Sequence, residues 1–524
     1  MNILSSLQNL IKTSPGRTAR EYSRKLKTLG FSSADKTIVN STLYRNLQLF
    51  EFCKDNDNTP RWFLKDIIGA KDNVEKPSRK VERSKNIGAK LNLYAWQKEA
   101  VKKWKAQNCQ GVVEAVTGAG KTLIGISATI EQIQQGGFVF VIVPSLELLR
   151  QWEIKLKEHL PNARIGIFGG GSQVTFEDCE LIVATVHAAR HWDLLPPEGG
   201  DGLLIADECH RYGSERNKEA LDERFAKRLG LSATYQRNDN GNAYWLEPYF
   251  GDTCFTLGYE RAIDDGVISQ FSVALIGVAF SDAERVEYDE HSEKLYKLKR
   301  KLLNSFDLTE EPFGEFMKEV SLLAQGGYEE GTGIARSYLS AFEKRRALLA
   351  ESPAKIKGLL KLIDAIRQSN RTLIFTQTVE SAESIAGVLQ LNNIEARAIH
   401  SKMKSDERRH ILSEFGDGNL QVVIAPQVLD EGVDVPEADL AIIVAASKTR
   451  RQMIQRMGRV LRRKQDGRLA RFALLFVEET SEDPQTGAHE EFIEEITNVA
   501  HSVKAFGSRI SSEKICRYLS ASTR

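Results

Sequence analysis

The sequence predicts an α/β fold in which two parallel-sheet lobes are separated by a helical insertion and preceded by a small N-terminal module. Short apolar runs alternate with helical patterns in two series, one on each side of a charged helical stretch at 281–350. Because strands that alternate with helices build parallel sheets, each series predicts one lobe. The length of 524 residues leaves room for further domains beyond the two lobes.

Composition and patterning divide the chain into segments of different character. They are a basic module at 1–66, a linker at 67–90, the first lobe at 91–258, a connector with the helical insertion at 259–352, the second lobe at 353–480 and a C-terminal helical tail at 481–524. First-lobe strands are predicted at 111–113, 138–143, 181–184, 203–206 and 228–231. Second-lobe strands are predicted at 372–375, 396–399, 422–425 and 441–444.

Charge, cysteine use and hydropathy limit the classes of function. Residues 1–93 hold 18 Lys and Arg against 9 Asp and Glu, which favours a polyanion-binding module but also fits an ordinary solvated face. No two of the 6 cysteines form a Cys-x-x-Cys pair, which argues against a zinc site or a disulfide framework. No long apolar run or signal-peptide pattern is present, so we expect a soluble, cytoplasmic protein with no membrane partner.

A phosphate-binding loop is predicted where an apolar run passes through a Gly-rich turn into a helix. Its residues are Ala115, Val116, Thr117, Gly118, Ala119, Gly120, Lys121 and Thr122. The glycines let backbone N–H groups face the phosphates of ATP, and the helix N-terminus adds its positive dipole end. Lys121 is expected on the β- and γ-phosphates and the Thr122 hydroxyl on Mg²⁺. The alternative is a Gly-rich turn that precedes a helix by chance.

An acidic pair follows another apolar run in the same lobe. The run at 202–206 is suited to a buried parallel strand, and it delivers Asp207 and Glu208 to the carboxyl end where ligand sites of α/β folds lie. Asp207 is expected to hold the Mg²⁺ shell, and Glu208 to orient and deprotonate the attacking water. The alternative is the solvated start of a loop, which the nearby phosphate loop makes the weaker interpretation.

The order of the motifs resembles the DEAD/DEAH-type superfamily 2 helicases and translocases, whose core has two RecA-like lobes. The resemblance covers roughly 91–480 and is carried by residues 93–97, 115–122, 144–149, 184–187, 207–210, 232–234, 373–376, 400–401, 431–436 and 455–462. It implies a nucleic-acid-dependent ATPase that uses ATP and Mg²⁺.

Within the first lobe, the resemblance assigns roles to four further residues. Gln97 is expected to bond the edge of the adenine, and Tyr94 to stack on it, in place of the Arg that relatives often carry. His210 is expected to join Ser232, Ala233 and Thr234 in coupling hydrolysis to lobe movement. Arg237 is expected at the nucleic acid.

The second lobe is expected to complete both sites. By the resemblance, Thr376 and His400 line the nucleic-acid path, and Gly432 and Asp434 of the fifth motif contact the nucleotide. The sixth motif contributes Gln455, Arg459 and Arg462, which share one helical face because they are four and three residues apart. The two arginines are expected to act as arginine fingers when the lobes close, and the alternative is a plain basic surface.

The subfamily is indicated by the residues after the 232–234 motif. Tyr235-Gln236-Arg237-Asn238-Asp239 resembles the Arg-Glu-Asp loop of XPB-like helicases, with Asn238 in place of Glu, and the helices at 281–350 lie where those enzymes carry a thumb-like insertion. This favours a motor on double-stranded DNA. The motor subunit of a type III or type I restriction enzyme is the near alternative, since it shares the same core.

The N-terminal module resembles a Z-alpha winged-helix domain, which binds left-handed Z-form nucleic acid. Lys36, Asn40 and Tyr44 are four residues apart on one helical face, and Pro60 and Trp62 follow where such domains carry their wing. The resemblance implies phosphate contacts from Lys36 and Asn40, and packing of Tyr44 on a syn purine. The alternative is that Tyr44 and Trp62 belong to the core of an ordinary winged helix.

Taken together, these features predict an ATP-dependent DNA helicase or translocase targeted by its N-terminal winged helix, with DNA as partner and RNA not excluded. The alternatives are a nucleic-acid-sensing ATPase that acts as a switch, and one subunit of a restriction or defence complex.

Overall fold

Two seven-stranded parallel sheets form the two lobes of the computed structural model, and the predicted α/β class is thereby confirmed. A two-stranded antiparallel sheet lies in the N-terminal module. The structure describes residues 3–14, 17–29, 31, 39, 42–43, 50–54, 60–64, 91–169, 174–190, 201–237, 239–311, 313–326, 330–426, 438–444, 460–461, 468–486 and 497–521.

The N-terminal module joins two helices to one hairpin. Helices α1 (Ile3–Thr13) and α2 (Ala19–Thr28) precede strands β1 (Phe50–Lys54) and β2 (Pro60–Leu64), which pair antiparallel. The Thr18 side chain accepts from the backbone N–H of Glu21, and this capping box starts α2. Trp62 is fully buried among the apolar faces of both helices, which gives the module its own small core.

The first lobe is a parallel sheet in the order β5-β6-β4-β7-β8-β3-β9. Its strands are β3 (Gln110–Ala115), β4 (Phe138–Val143), β5 (Ile165–Phe168), β6 (Leu181–Thr185), β7 (Gly202–Asp207), β8 (Lys227–Ser232) and β9 (Thr253–Leu257). The predicted runs all fall within these strands. Strands β4 and β7 are buried along their whole length, and their sequences are accordingly apolar up to the Asp207 that ends β7.

Helices cover both faces of the first sheet. They are α3 (Ala95–Ala106), α4 (Lys121–Gln134), α5 (Leu146–His159), α6 (Val186–Ala189), α7 (Glu247–Phe250) and α8 (Tyr259–Asp264). Short 3₁₀ turns at Cys209–Tyr212 and Lys218–Ala220 follow β7, and a π-helical turn at Asn242–Leu246 follows β8.

The second lobe is a parallel sheet in the order β12-β13-β11-β14-β15-β10-β16. Its strands are β10 (Phe271–Val278), β11 (Thr372–Thr376), β12 (Ala396–Ala398), β13 (Val422–Pro426), β14 (Leu440–Ile443), β15 (Ala470–Val477) and β16 (Ser502–Phe506). Three of these strands were not predicted: β10 comes from the expected connector, β15 from the end of the expected second lobe and β16 from the expected helical tail. Strands β10 and β16 pair in register along Ser272–Ile276.

Three helices form the insertion between β10 and β11. They are α9 (Asp282–Phe306), α10 (Phe313–Gln325) and α11 (Glu330–Glu351), and they share a core around Leu302, Phe316 and Tyr338. Helices α12 (Pro353–Leu360), α13 (Ile363–Arg367), α14 (Val379–Leu391), α15 (Ser405–Asp417) and α16 (Ser512–Ala521) complete the second lobe. Among the helices the structure describes, none has the length and apolarity to cross a membrane.

Candidate nucleotide site

The phosphate loop is formed where β3 ends and α4 begins at Lys121. Gly118 and Gly120 have φ values of +83° and +91°, which only glycine adopts without strain. A Cβ atom at Gly120 would lie 3.1 Å from Gln97 Nε2, so space as well as dihedral angle requires glycine there. The loop therefore has the open backbone geometry that a phosphate cradle needs.

Lys121 turns into this loop. Its Nζ donates to the carbonyl oxygen of Ala115 at 2.8 Å. Burial lowers the pKa of Lys121, while the charges of Glu208 and Asp207 oppose that shift. The ammonium thus lies between the loop carbonyls and the acidic pair, with donors available for phosphate oxygens.

Asp207 ends β7 and is almost fully buried. Its Oδ2 accepts from the indole N–H of Trp152 at 2.7 Å, and its Oδ1 accepts from the backbone N–H of Glu208 at 3.0 Å. Burial raises the pKa of Asp207, whereas the Trp152 hydrogen bond and the charge of Lys121 lower it. Each carboxylate oxygen therefore has a fixed donor that sets its orientation.

Glu208 has left-handed backbone geometry, with φ of +51° and ψ of +48°. This conformation is costly for a residue with a long side chain, so the surrounding structure must hold it. Its Oε2 lies 3.5 Å from Nδ1 of His210. The strained turn projects the carboxylate from the carboxyl end of the sheet, beside Lys121, where a water-activating base is expected.

His210 connects the acidic turn to the 232–234 motif at the end of β8. Its Nδ1 lies 2.9 Å from Ser232 Oγ, and both side chains are buried. Ser232 Oγ in turn donates to the carbonyl oxygen of Thr234 at 2.8 Å. The residues expected to couple hydrolysis to movement are thus in direct contact.

Arg237, which is expected at the nucleic acid, is held by hydrogen bonds to two partners. Its Nε and Nη2 donate to the two carboxylate oxygens of Asp239 at 2.6 and 2.5 Å, and its Nη1 donates to the His210 carbonyl oxygen. Its side chain is 15% exposed. In this structure Arg237 therefore clamps the loop after β8 onto the turn that carries Glu208.

The two residues expected at the adenine differ in their availability. Tyr94 is 49% exposed, so its side chain is accessible to a nucleotide base. Gln97 is fully buried, accepts from the Tyr94 backbone N–H at 2.9 Å and donates to the Gly120 carbonyl oxygen at 3.1 Å. Gln97 thereby ties the start of α3 to the phosphate loop.

In the second lobe, Thr376 is buried and its hydroxyl donates to the Thr378 carbonyl oxygen at 3.1 Å. His400 Nε2 lies 3.0 Å from Glu383 Oε1. Pro60 starts β2 and Trp62 is a core residue of the N-terminal module. The predicted residues Lys36, Asn40, Tyr44, Asn238, Gly432, Asp434, Gln455, Arg459 and Arg462 lie outside the described residues.

Two residues of the site were missed in the sequence. Trp152 lies 55 positions before its partner Asp207, and Glu114 Oε1 accepts from the backbone N–H of Tyr235, which is 121 positions later. Neither contact has a local sequence signal, because both depend on helix and strand packing across the sheet. A buried Trp needs a partner for its N–H, and that requirement was the one available hint for Trp152.

The donor set at the acidic pair fits Mg²⁺. Carboxylate and hydroxyl oxygens are the ligands this ion prefers, and Asp207 at the end of β7 and Thr122 at the start of α4 offer one of each. No group of three or more His, Cys, Asp or Glu suited to hold a metal occurs among the described residues.

Two family models match parts of the chain. The model described as type III restriction enzyme, res subunit, matches residues 90–237, and the model of the helicase conserved C-terminal domain matches residues 354–464. The first match contains the phosphate loop and the acidic turn. The second contains the fifth and sixth motifs.

Relatives of the same kind align over most of the chain. The DNA 3′-5′ translocase XPB2 of Sulfurisphaera tokodaii is 29% identical over 390 residues, which covers 72% of this chain and 80% of the relative. The DNA 3′-5′ helicase XPB of Mycobacterium tuberculosis is 25% identical over 389 residues, and this chain spans 59% of its length.

Among solved structures, Saccharomyces cerevisiae Dbp5 bound to RNA and ADP BeF3 has a similar fold. The TM-score is 0.52 at 14% identity, and the match covers 82% of this chain and 94% of that one. At this identity the similarity supports the two-lobe fold alone.

Proposed function

We propose that the chain is an ATP-driven DNA translocase. The premise is that it carries a superfamily 2 helicase core and is an ATP-hydrolysing enzyme of the nucleic-acid-dependent helicase class. ATP binds between the two lobes, and each cycle of closure and opening moves the protein along DNA. The observation that carries the proposal is the set of contacts from Glu208 through His210 to Ser232, with the buried Lys121 in the electrostatic field of Glu208.

In the proposed mechanism, the phosphate loop and Lys121 bind the triphosphate. Asp207 and Thr122 would hold Mg²⁺, which would neutralise charge on the phosphates. Glu208 accepts a proton from the attacking water, whose oxygen displaces ADP from the γ-phosphorus. Arg459 and Arg462 of the second lobe, with Gln455, stabilise the developing charge once the lobes close.

Loss of the γ-phosphate changes the surroundings of Glu208, and the His210–Ser232 hydrogen bond carries that change to the end of β8. From there the loop through Thr234 leads to Arg237, which is itself bonded to the His210 carbonyl oxygen. Two routes thus join the catalytic turn to the same loop. In the proposed mechanism this hydrogen-bonded element couples chemistry to domain movement.

The choice of DNA is supported by the relatives, since both XPB proteins reported above are described as acting on DNA in the 3′-5′ direction. The three-helix insertion α9–α11, placed between two strands of the second lobe, is consistent with an XPB-like arrangement. We carry both the DNA substrate and the direction of movement to this chain as proposals.

We also propose that the N-terminal module selects the nucleic acid. Its two helices, its hairpin and the backbone bond from Trp62 N–H to the Arg17 carbonyl oxygen at 3.0 Å fit a winged helix. Recognition of the Z form is the narrower hypothesis, and it depends on Lys36, Asn40 and Tyr44.

A second candidate function is the motor of a restriction or defence complex, which the match to the restriction-subunit model favours. Displacement of a triplex-forming strand from duplex DNA tests both candidates, because only a protein that moves along the duplex removes it in an ATP-dependent manner. An independent translocase displaces the strand when purified alone. A motor that needs its complex displaces it only after a co-purifying nuclease or methylase is added, and a switch ATPase hydrolyses ATP without displacement.

A further inference from the structure

An aromatic and basic surface lies beside the catalytic turn of the first lobe and is not used by the site described above. We define the aromatic–basic surface by Arg190, Arg216, Lys218, Tyr244 and Trp245. Tyr244 is 64% exposed, the Lys218 ammonium lies 3.3 Å from the centre of the Trp245 ring, and the two aromatic rings are 6.5 Å apart. In such an arrangement the exposed ring can stack on a base while the neighbouring cation contacts a phosphate.

Positive charges are crowded at this surface. Arg190 donates to the Asn217 side chain at 3.1 Å, which brings it next to the segment of Arg216 and Lys218. Its Nε is buried without a hydrogen-bond partner among the described residues. Burial and the nearby Arg216 charge both lower the pKa of Arg190.

Acidic neighbours offset only part of the positive charge of the aromatic–basic surface. Glu215 pairs with Lys218 at 2.7 Å, but its own side chain is 78% exposed. Glu219 is also exposed, and its charge opposes the lowering of the Arg190 pKa. A phosphate group placed between the arginines would offset their mutual repulsion and supply an acceptor for Arg190 Nε.

The surface is attached to the catalytic turn by short contacts. Tyr244 and Trp245 belong to the π-helical turn Asn242–Leu246, and such turns are frequent at functional sites. The Asn242 side chain donates to the Tyr235 carbonyl oxygen at 3.0 Å, and the backbone N–H of Gly241 donates to Asp239 at 3.0 Å. Asp239 is held by Arg237, which reaches the His210 carbonyl oxygen.

We propose that the aromatic–basic surface binds a nucleic-acid strand with unpaired bases, one of which stacks on Tyr244 while Arg190 and Arg216 contact its phosphates. The proposal rests on the nucleic-acid-dependent function above and adds the site and the kind of strand. Bases in a duplex hide both faces in the stack, so an exposed ring such as Tyr244 selects a strand that is already open. The aromatic–basic surface therefore binds the separated strand where single-stranded and duplex nucleic acid meet.

Binding of a dye-labelled oligothymidylate and of a blunt duplex of equal length, with the full-length protein and a non-hydrolysable ATP analogue, tests the proposal. Oligothymidylate is chosen because its bases stack weakly on one another. Tyr244→Ala and Tyr244→Leu are expected to weaken its binding about tenfold, with a smaller loss for the duplex, and Tyr244→Phe to retain it. Arg216→Ala is expected to reduce the slope of log affinity against log salt by about one.

Comparison of Tyr244→Leu with Tyr244→Phe distinguishes loss of base stacking from loss of folding, since leucine is a bulky apolar side chain without an aromatic face. Oligothymidylate affinity equal to that of the unmodified protein in both Tyr244→Ala and Tyr244→Leu overturns the proposal. So does an equal loss for Tyr244→Phe, because the ring is then not the contact. Failure of the proposed translocase function gives a different result, because the unmodified protein would then hydrolyse ATP at the same rate with and without nucleic acid.

Discussion

The indole N–H of Trp152 donates to Asp207 Oδ2 at 2.7 Å, across 55 positions of sequence. The same ring packs on the phosphate-loop helix, where a Cβ atom at Gly125 would lie 2.5 Å from Trp152 Cη2. One buried side chain therefore sets both the orientation of the carboxylate expected on Mg²⁺ and the distance between α4 and α5. Because α5 begins at the first-lobe motif 144–149, this contact links that motif to the nucleotide site.

Trp152→Phe should weaken Mg²⁺-dependent nucleotide binding, because it removes the indole N–H while an aromatic ring stays in the site. Loss of a hydrogen bond to a charged group costs about 1.5–3 kcal/mol, so we expect the Mg²⁺ concentration for half-maximal binding of a fluorescent ATP analogue to rise about tenfold or more. Trp104→Phe is the matched control, since the buried Trp104 donates to the Arg228 carbonyl oxygen at 2.9 Å. Equal Mg²⁺ dependence in both variants would contradict the orienting role.

Lys121→Ala and Glu208→Gln should separate nucleotide binding from hydrolysis. Without its ammonium, Lys121→Ala loses the phosphate contact and binds ATP weakly. Glu208→Gln keeps a side chain of the same shape but no base, so ATP binds with unchanged affinity and turnover stops. Equilibrium binding and phosphate release measure the two effects, and continued release by Glu208→Gln would remove the residue from its assigned role.

Substitution of Arg237 should uncouple nucleic acid from hydrolysis, because its bonds to Asp239 and to the His210 carbonyl oxygen are the direct link between loop and turn. We expect Arg237→Ala to reduce the ratio of DNA-stimulated to unstimulated kcat about tenfold, with a small change in the KM for ATP. Arg224→Ala is the control, since Arg224 forms the same type of pair with Asp222 at the surface. If Arg237→Ala keeps the ratio but loses DNA affinity, Arg237 is a nucleic-acid contact after all.

Arg459→Ala and Arg462→Ala should each lower kcat with little loss of ATP affinity, because the fingers act only in the closed transition state. Arginine fingers contribute about 10³–10⁵ in rate. Turnover within about threefold of the unmodified protein in both variants would mean that Arg459 and Arg462 do not face the nucleotide.

The Z-form hypothesis predicts that the full-length protein inverts the circular dichroism of an alternating CG duplex. Asn40→Ala and Tyr44→Ala should abolish the inversion, because they remove a phosphate contact and the purine packing. Binding should also weaken as salt rises, since phosphate contacts release counterions. A right-handed spectrum at saturating protein would leave a winged helix without Z-form preference.

Local patterns were sufficient to predict where the phosphate loop and the acidic pair lie in the fold. Each follows an apolar strand, so its position at the carboxyl end of the sheet is encoded within a few residues. The contacts of Trp152 and Glu114 were not predictable in this way, because their partners are 55 and 121 positions away.

The strands missed in the second lobe have a similar explanation. Strand β10 pairs with β15 and β16, which lie about two hundred residues later in the chain, so its place in the sheet has no local signature. Strand β16 is a five-residue edge strand with three exposed residues, so it has no long buried run to mark it. Edge position and long-range pairing therefore account for β10 and β16, whereas β15 is a buried, mostly apolar run that does have a local signal.

The ATPase rate of the full-length protein with no nucleic acid, single-stranded DNA, duplex DNA and the matching RNAs tests the central claim most directly. The proposed motor hydrolyses ATP several-fold faster with DNA than without it, and Glu208→Gln abolishes the rate under every condition. Hydrolysis that is indifferent to all nucleic acids, or stimulated by RNA alone, would contradict the account.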